Sequence, residues 1–117
     1  MYVQCLDEDD EHYVELKKME NQLRVFKTFD GELYSLIPLP MPTAKFDEEG
    51  NRLSATYVNF LITNGALVYP TYSVKEDKLV DKVFKDFFVD KEVIPIECSR
   101  LIEEGGSLHC STMQIPF

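Results

Sequence analysis

The sequence lacks any run of about 18 consecutive apolar residues, so it offers no candidate membrane-spanning helix. Its three cysteines, Cys5, Cys98 and Cys110, are widely spaced, and none forms a Cys-x-x-Cys pair. The odd count and the spacing argue against a disulfide scaffold and favour a reducing compartment. The first residues turn strongly acidic after Cys5, unlike a signal or transit peptide. We therefore expect a cytoplasmic protein.

Motifs for common cofactors are missing as well. The sequence contains no Walker loop, no G-x-G-x-x-G and no G-x-S-x-G. Its histidines, His12 and His109, have no paired spacing with the cysteines that would indicate a metal site. The net charge of −9 opposes binding to phosphate backbones and anionic membranes, although it would tolerate a cationic ligand. The sequence thus predicts no metal, no cofactor and neither nucleic-acid nor membrane partners.

The residues that are present predict an α/β fold. Of the 117 residues 44% are hydrophobic, which is enough for a folded core. Apolar spacing and turn signals predict strand, helix, strand, hairpin, helix, strand and strand, in that order. The first half contains a strand over 1–6, a helix with Leu16, Met19, Leu23 and Phe26 on one face, and a strand over 34–40. A hairpin across Asn64-Gly65 follows, and then a helix after the capping-box pattern Ser73-x-x-Glu76. The last segments are a strand over 92–96, a helical turn over 99–103 and a strand from 107 to 114, before Pro116.

Two connecting segments complete this prediction. Asp30-Gly31 indicates a turn, which either ends a helix–turn–strand unit or joins 24–29 to 32–37 in a hairpin. The helical spacing upstream favours the first alternative. Pro38, Pro40 and Pro42 are predicted to exclude regular structure, and 44–54 is predicted to be a polar loop.

Cys110 is the candidate for chemistry. It follows the pair Gly105-Gly106, which allows close approach of backbone or ligand. A thiol in such a place acts as a nucleophile if a cation or a base lowers its pKa. The alternative is a small buried hydrophobe, which is the role expected of Cys5 and Cys98. On a strand, His109 would face away from Cys110, so His109 is not expected to be its base.

The stretch that contains Cys110 resembles a known motif. Gly-Gly-Ser-Leu-His-Cys-Ser-Thr-Met-Gln-Ile-Pro is similar to the closing motif of agmatine deiminases and bacterial peptidylarginine deiminases. Three further stretches agree with that family in order and spacing, so the resemblance covers essentially the whole chain. They are Leu-Ile-Pro-Leu-Pro-Met-Pro at 36–42, Tyr-Val-Asn-Phe at 57–60 with Asn64-Gly65, and the helix opening Asp-Glu-His-Tyr at 10–13.

The resemblance implies an α/β fold of the pentein, or β/α-propeller, type. Five units would surround a central channel, and residues 1–117 would supply about two of them, as the C-terminal part of a single domain. It also implies hydrolysis of agmatine to N-carbamoylputrescine and ammonia, in putrescine and polyamine biosynthesis. Cys110 would form a covalent amidino-thioether, while Asn59, Gly105 and Gly106 would lie beside a small cationic guanidino substrate.

Two alternatives stay open. Peptidyl-arginine deimination shares the motif, and a truncated, non-catalytic chain could serve as an oligomeric or binding module. The sequence does not distinguish agmatine from peptidyl-arginine.

The sequence also departs from the family pattern. The His-x-Asp motif and the earlier carboxylate that the family uses for acid/base work and guanidinium binding are absent. Ser73-Val74 replaces a Gly-Asp pair, and Glu104 occupies a glycine position. We therefore expect the chain alone to be inactive, and Cys110 to react at pH 7 like an ordinary thiol. We also expect self-association, or a need for the missing N-terminal part, through an exposed apolar surface. Its candidate residues are Leu36, Ile37, Phe60, Leu61 and Val68.

Overall fold

The computed structural model describes residues 1–115, in which helices alternate with short strands. The chain forms two units, one over Met1–Met41 and one that begins at Pro42. The α/β class predicted from the sequence is confirmed, and every predicted strand, helix and hairpin except the final strand appears in the predicted order. Within residues 1–115, no helix is both long and apolar enough to span a bilayer.

The first unit is a strand–helix–strand arrangement. Strand β1 (Tyr2–Gln4) pairs in parallel with β2 (Pro38–Pro40), and α1 (Tyr13–Leu23) lies between them in sequence. Leu39 is fully buried in the centre of β2. The predicted apolar face of α1 is present up to Leu23, but Phe26 lies beyond the end of the helix and is exposed.

Helix α1 also buries a carboxylate. Glu20 is 3% exposed, and it accepts hydrogen bonds from Lys17 Nζ at 3.2 Å and from Arg24. The hydrogen bond from Arg24, followed by that from Lys17, holds the pKa of Glu20 below its usual value. A carboxylate this well buried needs such partners, because an unpaired buried charge is strongly unfavourable.

The prediction that the prolines exclude regular structure is wrong, because Pro38 and Pro40 lie within β2. Tyr2 N–H donates to the carbonyl of Ile37 at 3.1 Å, and Met41 N–H donates to the carbonyl of Gln4 at 3.0 Å. Residues alternate along a strand, so the nitrogens of Pro38 and Pro40 point to the other edge. Pairing with β1 therefore requires no N–H from either proline.

The turn at Asp30-Gly31 is confirmed. Lys27 forms an antiparallel bridge with Leu33, and Gly31 has a φ of 84°. The turn between α1 and β2 is therefore closed by a single β-bridge, and the strand predicted over 34–40 is limited to β2.

The second unit is a three-stranded sheet with one helix. Strands β3 (Leu61–Ile62) and β4 (Ala66–Thr71) form the hairpin predicted from Asn64-Gly65. Helix α2 (Glu76–Phe87) then leads to β5 (Glu92–Glu97), which pairs in parallel with β4. The strand order is β3-β4-β5.

Helix α2 packs its predicted apolar face against the sheet. Val80 and Phe84 are fully buried, and the Phe84 ring centroid lies 4.9 Å from that of Tyr69. The predicted Ser73 cap is wrong, since the helix begins at Glu76 without a side-chain cap and Ser73 has a φ of 56°. Asp77 instead accepts hydrogen bonds from the N–H groups of Tyr72 and Val74, both at 3.1 Å.

The last part of the unit contains two 3-10 helices, Leu101–Glu104 and His109–Ser111. The first corresponds to the predicted helical turn. The predicted strand over 107–114 is wrong, because the backbone there bonds locally: Thr112 N–H donates to the carbonyl of His109 at 3.0 Å. Pro116, where that strand was predicted to end, lies outside the described residues.

Candidate active site

Cys110 lies exposed in the second 3-10 helix, and the side chain of Asn59 contacts it at two points. Asn59 Nδ2 donates a hydrogen bond to Cys110 Sγ at 3.0 Å, and Asn59 Oδ1 accepts one from Cys110 N–H at 3.2 Å. The carbonyl of Asn59 also accepts the N–H of His109 at 3.2 Å. The structure thus brings together Asn59 and Cys110, two predicted site residues 51 positions apart.

The orientation of the Asn59 amide follows from these contacts. A backbone N–H can only donate, so the amide oxygen must face Cys110 N. The amide nitrogen then faces Sγ, which can accept a hydrogen bond as thiol or, more strongly, as thiolate.

These donors lower the pKa of the Cys110 thiol. The largest contribution is the hydrogen bond from Asn59, and a backbone hydrogen bond from Ser107 acts in the same direction. Both favour the thiolate, since they stabilise the charged form. This direction runs against the expectation that Cys110 is an ordinary thiol, and its rate of reaction at pH 7 stays a prediction.

Gly106 lies directly against the nucleophile candidate. A Cβ added at Gly106 would lie 3.0 Å from Cys110 Cβ and 3.7 Å from Sγ, so glycine permits this close approach. Gly105 has a φ of 86° and ends the first 3-10 helix in the left-handed conformation that glycine adopts without strain. Each glycine thus has its own structural reason in the turn that leads to Cys110.

A cleft of about 270 Å³ opens beside the thiol. One of the residues that line it, Glu104, is acidic. The lining residues are Leu101, Glu104, Gly105, Gly106, Cys110 and Ser111. An exposed thiol and a carboxylate in one cleft are suited to a small cationic ligand.

A buried hydroxyl behind the cleft, that of Tyr72, was not identified from the sequence. Tyr72 Oη accepts the N–H of Thr56 and donates to the Thr56 carbonyl, both at 3.0 Å, and it lies 2.8 Å from Ser107 Oγ. Both Tyr72 and Ser107 are essentially inaccessible to solvent. A tyrosine after a strand is typical of core packing, so the sequence carries no signal for this contact.

The other candidate residues lie apart from this chemistry. Cys5 and Cys98 are buried, as predicted, and burial raises the pKa of Cys98. His109 contacts Asn59 only through its backbone N–H, while its side chain is exposed. His12 is paired with Asp10 at 3.2 Å on the first unit. Among residues 1–115, no three His, Cys, Asp or Glu side chains are placed to share a metal ion.

Comparison with known proteins identifies the class to which this α/β fold and its cysteine turn belong. Residues 1–116 match the family model described as Porphyromonas-type peptidyl-arginine deiminase. A solved structure assigned as a peptidyl-arginine deiminase is 50% identical, with a TM-score of 0.94 over 97% of this chain and 34% of its own. The chain therefore belongs to the Porphyromonas-type peptidyl-arginine deiminase family.

Agmatine deiminases are similar as well. A substrate-bound structure of a Cys-to-Ser variant of the C. jejuni enzyme is 36% identical, with a TM-score of 0.83 over 93% of this chain and 31% of that chain. A protein from Marinomonas sp. (strain MWYL1) assigned as an agmatine deiminase is 31% identical over 96% of this chain and 35% of its own length. The chain thus spans about a third of the length of these relatives.

Proposed function

We propose that the chain supplies the nucleophile of a guanidino-group hydrolase and corresponds to the C-terminal part of that enzyme. The observation that carries the proposal is the contact of Asn59 with Cys110, at 3.0 Å to the sulfur and 3.2 Å to the backbone nitrogen. It gives an exposed thiol a lowered pKa beside an open cleft. These are the properties that a cysteine nucleophile requires.

The proposed reaction begins with attack of the Cys110 thiolate on the guanidinium carbon. A C–S bond forms, a C–N bond breaks, and the leaving nitrogen takes up a proton and departs as ammonia. Water then adds to the amidino carbon of the covalent thioether and gives up its two protons to base or solvent. The C–S bond breaks, its electron pair returns to the sulfur as thiolate, and the carbon keeps the oxygen as a ureido group. With agmatine the product is N-carbamoylputrescine.

The remaining groups would come from the part of the enzyme that this chain does not span. A guanidinium is held best by paired carboxylates, and the leaving amine needs a positioned acid. We propose that the relatives' other two thirds supply both. Positioned acid/base groups contribute roughly 10²–10⁴-fold to rate. The chain alone should therefore release no measurable ammonia.

Agmatine is the first candidate substrate, because the relative from Marinomonas and the substrate-bound structure from C. jejuni are both named as agmatine deiminases. Peptidyl-arginine is the second candidate. The family model and the structure that is 50% identical both carry that description.

The test is a hybrid in which this chain replaces the matching third of the relative that is 50% identical. Ammonia release and ureido-product mass are measured with agmatine and with a short arginine peptide. We expect turnover by the hybrid, none by the chain alone, and loss of turnover in Cys110→Ser.

The substrate pattern separates the alternatives. Turnover of the peptide but not of agmatine would assign the second candidate. A folded hybrid that is inert with both substrates, beside an active parent, would refute the catalytic proposal and favour a non-catalytic module. Turnover that persists in Cys110→Ser would refute only the assignment of Cys110 as the nucleophile.

A further inference from the structure

The hydroxyl of Tyr72 contacts both halves of the candidate site. One half is the turn from Thr56 to Asn59, closed by a bond from Asn59 N–H to the Thr56 carbonyl at 3.4 Å. The other half is the segment from Ser107 to Cys110. Tyr72 Oη contacts the backbone of Thr56 twice, at 3.0 Å each, and Ser107 Oγ at 2.8 Å.

We propose that Tyr72 is a positioning residue for the nucleophile, whose buried hydroxyl holds the Asn59 turn and the Cys110 segment in one fixed relationship. The inference rests on the proposed function for its catalytic meaning, but its geometry and its test do not involve substrate. Tyr72 is not among the residues that line the cleft, and its hydroxyl bonds Thr56 and Ser107, so it acts through these residues.

The hydrogen-bonding capacity of the hydroxyl is fully used. A tyrosine O–H has one proton to donate and two lone pairs. The proton goes to the Thr56 carbonyl, and one lone pair accepts the Thr56 N–H. The third contact is with Ser107 Oγ at 2.8 Å, where either oxygen can be the donor. Burial raises the pKa of Tyr72, so the hydroxyl stays protonated and keeps this arrangement.

Both supports of the Cys110 sulfur depend on residues that this hydroxyl fixes. The side chain of Asn59 belongs to the turn that Tyr72 holds at Thr56. The backbone group of Ser107 that bonds the sulfur belongs to the residue that Tyr72 holds by its side chain. The Ser107 carbonyl also accepts Ser111 Oγ at 3.2 Å, which closes the turn around Cys110.

The simpler role for Tyr72 is packing. Its ring lies 5.6 Å from that of Tyr57, and its side chain is fully buried. Tyr72→Phe keeps the ring and removes only the hydroxyl. Tyr69→Phe is a matched control, because Tyr69 lies on β4, which ends just before Tyr72, is 1% exposed, and donates its hydroxyl to Asp81 at 2.9 Å.

The experiment measures the rate of Cys110 alkylation by iodoacetamide against pH in the chain as it exists, resolved by mass. In Tyr72→Phe the midpoint should move upward and the rate at pH 7 should fall about three- to tenfold, since one pKa unit is tenfold in thiolate. Tyr69→Phe should lower the thermal midpoint without moving the pH midpoint. The ionisable neighbours of Cys110, Glu104 and His109, are the same in all variants, so they do not contribute to the difference.

Ser107→Ala provides a second, independent variant that removes the other partner of the same contact. It should shift the pH midpoint in the same direction, and the double variant should shift it less than the sum of the two singles. If Tyr72→Phe does not fold, a shift in Ser107→Ala supports the proposal and an unchanged midpoint overturns it.

An unchanged midpoint in folded Tyr72→Phe would also overturn it, as would an equal shift in Tyr69→Phe. An inert hybrid enzyme would refute the proposed function yet leave this titration intact, so the two failures are distinguishable.

Discussion

Asn59 and Cys110 are joined by a two-point contact, in which one amide binds both the sulfur, at 3.0 Å, and the backbone nitrogen, at 3.2 Å, of the same cysteine. The second bond fixes the direction of the first, because it determines which end of the amide faces the thiol. The contact therefore favours the thiolate and also holds it in one orientation.

Replacing Asn59 by Asp should raise the pKa of Cys110. The variant keeps an oxygen for Cys110 N–H but removes the donor and places negative charge beside Sγ. In the parent chain the pKa of Cys110 is lowered. Its reactivity at pH 7 therefore comes from thiolate that would be protonated in the variant. We expect a fall of about tenfold or more in alkylation rate at pH 7 and an upward-shifted midpoint. Asn21→Asp, on the exposed face of α1, should leave the alkylation rate and the pH midpoint unchanged. If Asn59→Asp gave the same curve of rate against pH as the parent chain, the role assigned to Asn59 would be contradicted.

Cys110 should be alkylated first among the three cysteines. It is exposed and its pKa is lowered, whereas Cys5 and Cys98 are buried. Mass-resolved labelling at pH 7 should show modification of Cys110 well before the other two. In denaturant the three rates should converge, because folding causes the difference. Native labelling at equal rates would show that the turn does not activate the thiol.

Gly106→Ala should disturb the site and lower stability together. The new Cβ would lie 3.0 Å from Cys110 Cβ, and relieving this overlap must move the Cys110 segment. Overpacking of this kind costs about 1–3 kcal/mol. Urea unfolding should show the loss, and alkylation of Cys110 should slow. Gly65→Ala is the matched control, since nothing lies within 4 Å of its added Cβ. The two variants behaving alike would exclude the steric explanation.

Self-association of the isolated chain stays a prediction. The five residues proposed for it from the sequence are each partly exposed. Larger apolar exposure occurs elsewhere, with Phe29 at 105% and Val25 at 70%. Sedimentation at tens of micromolar should show oligomers, and Phe29→Lys should reduce them. Asn21→Lys adds the same charge without removing an apolar group, so it should not reduce the oligomers. A monomer in the parent chain would contradict the prediction.

Local chemistry explains which parts of the fold the sequence could predict. The hairpin at Asn64-Gly65 and the face of α2 with Val80 and Phe84 each depend on neighbours in sequence. The turn at Cys110 does not, because its backbone N–H is taken by a side chain 51 positions away. The sequence therefore predicted a strand over 107–114, where the structure has a 3-10 helix at His109–Ser111.

The site was predictable only in part for the same reason. Cys110, Asn59 and the glycines were identified from a resemblance, and the structure places them together. Tyr72 was not identified from the sequence, because its contacts to Thr56 and Ser107 span 16 and 35 positions. Such contacts arise from the packing of the sheet, which cannot be predicted from the spacing of residues in the sequence.

The prolines of β2 restrict what can join the first unit. Their nitrogens face the edge opposite β1, so over residues 38–40 that edge presents carbonyl oxygens but no N–H donors. An incoming strand would leave its own carbonyls without partners along this stretch. The edge thus discourages fibril-like growth by backbone pairing, and any assembly at this side must depend on contacts between side chains.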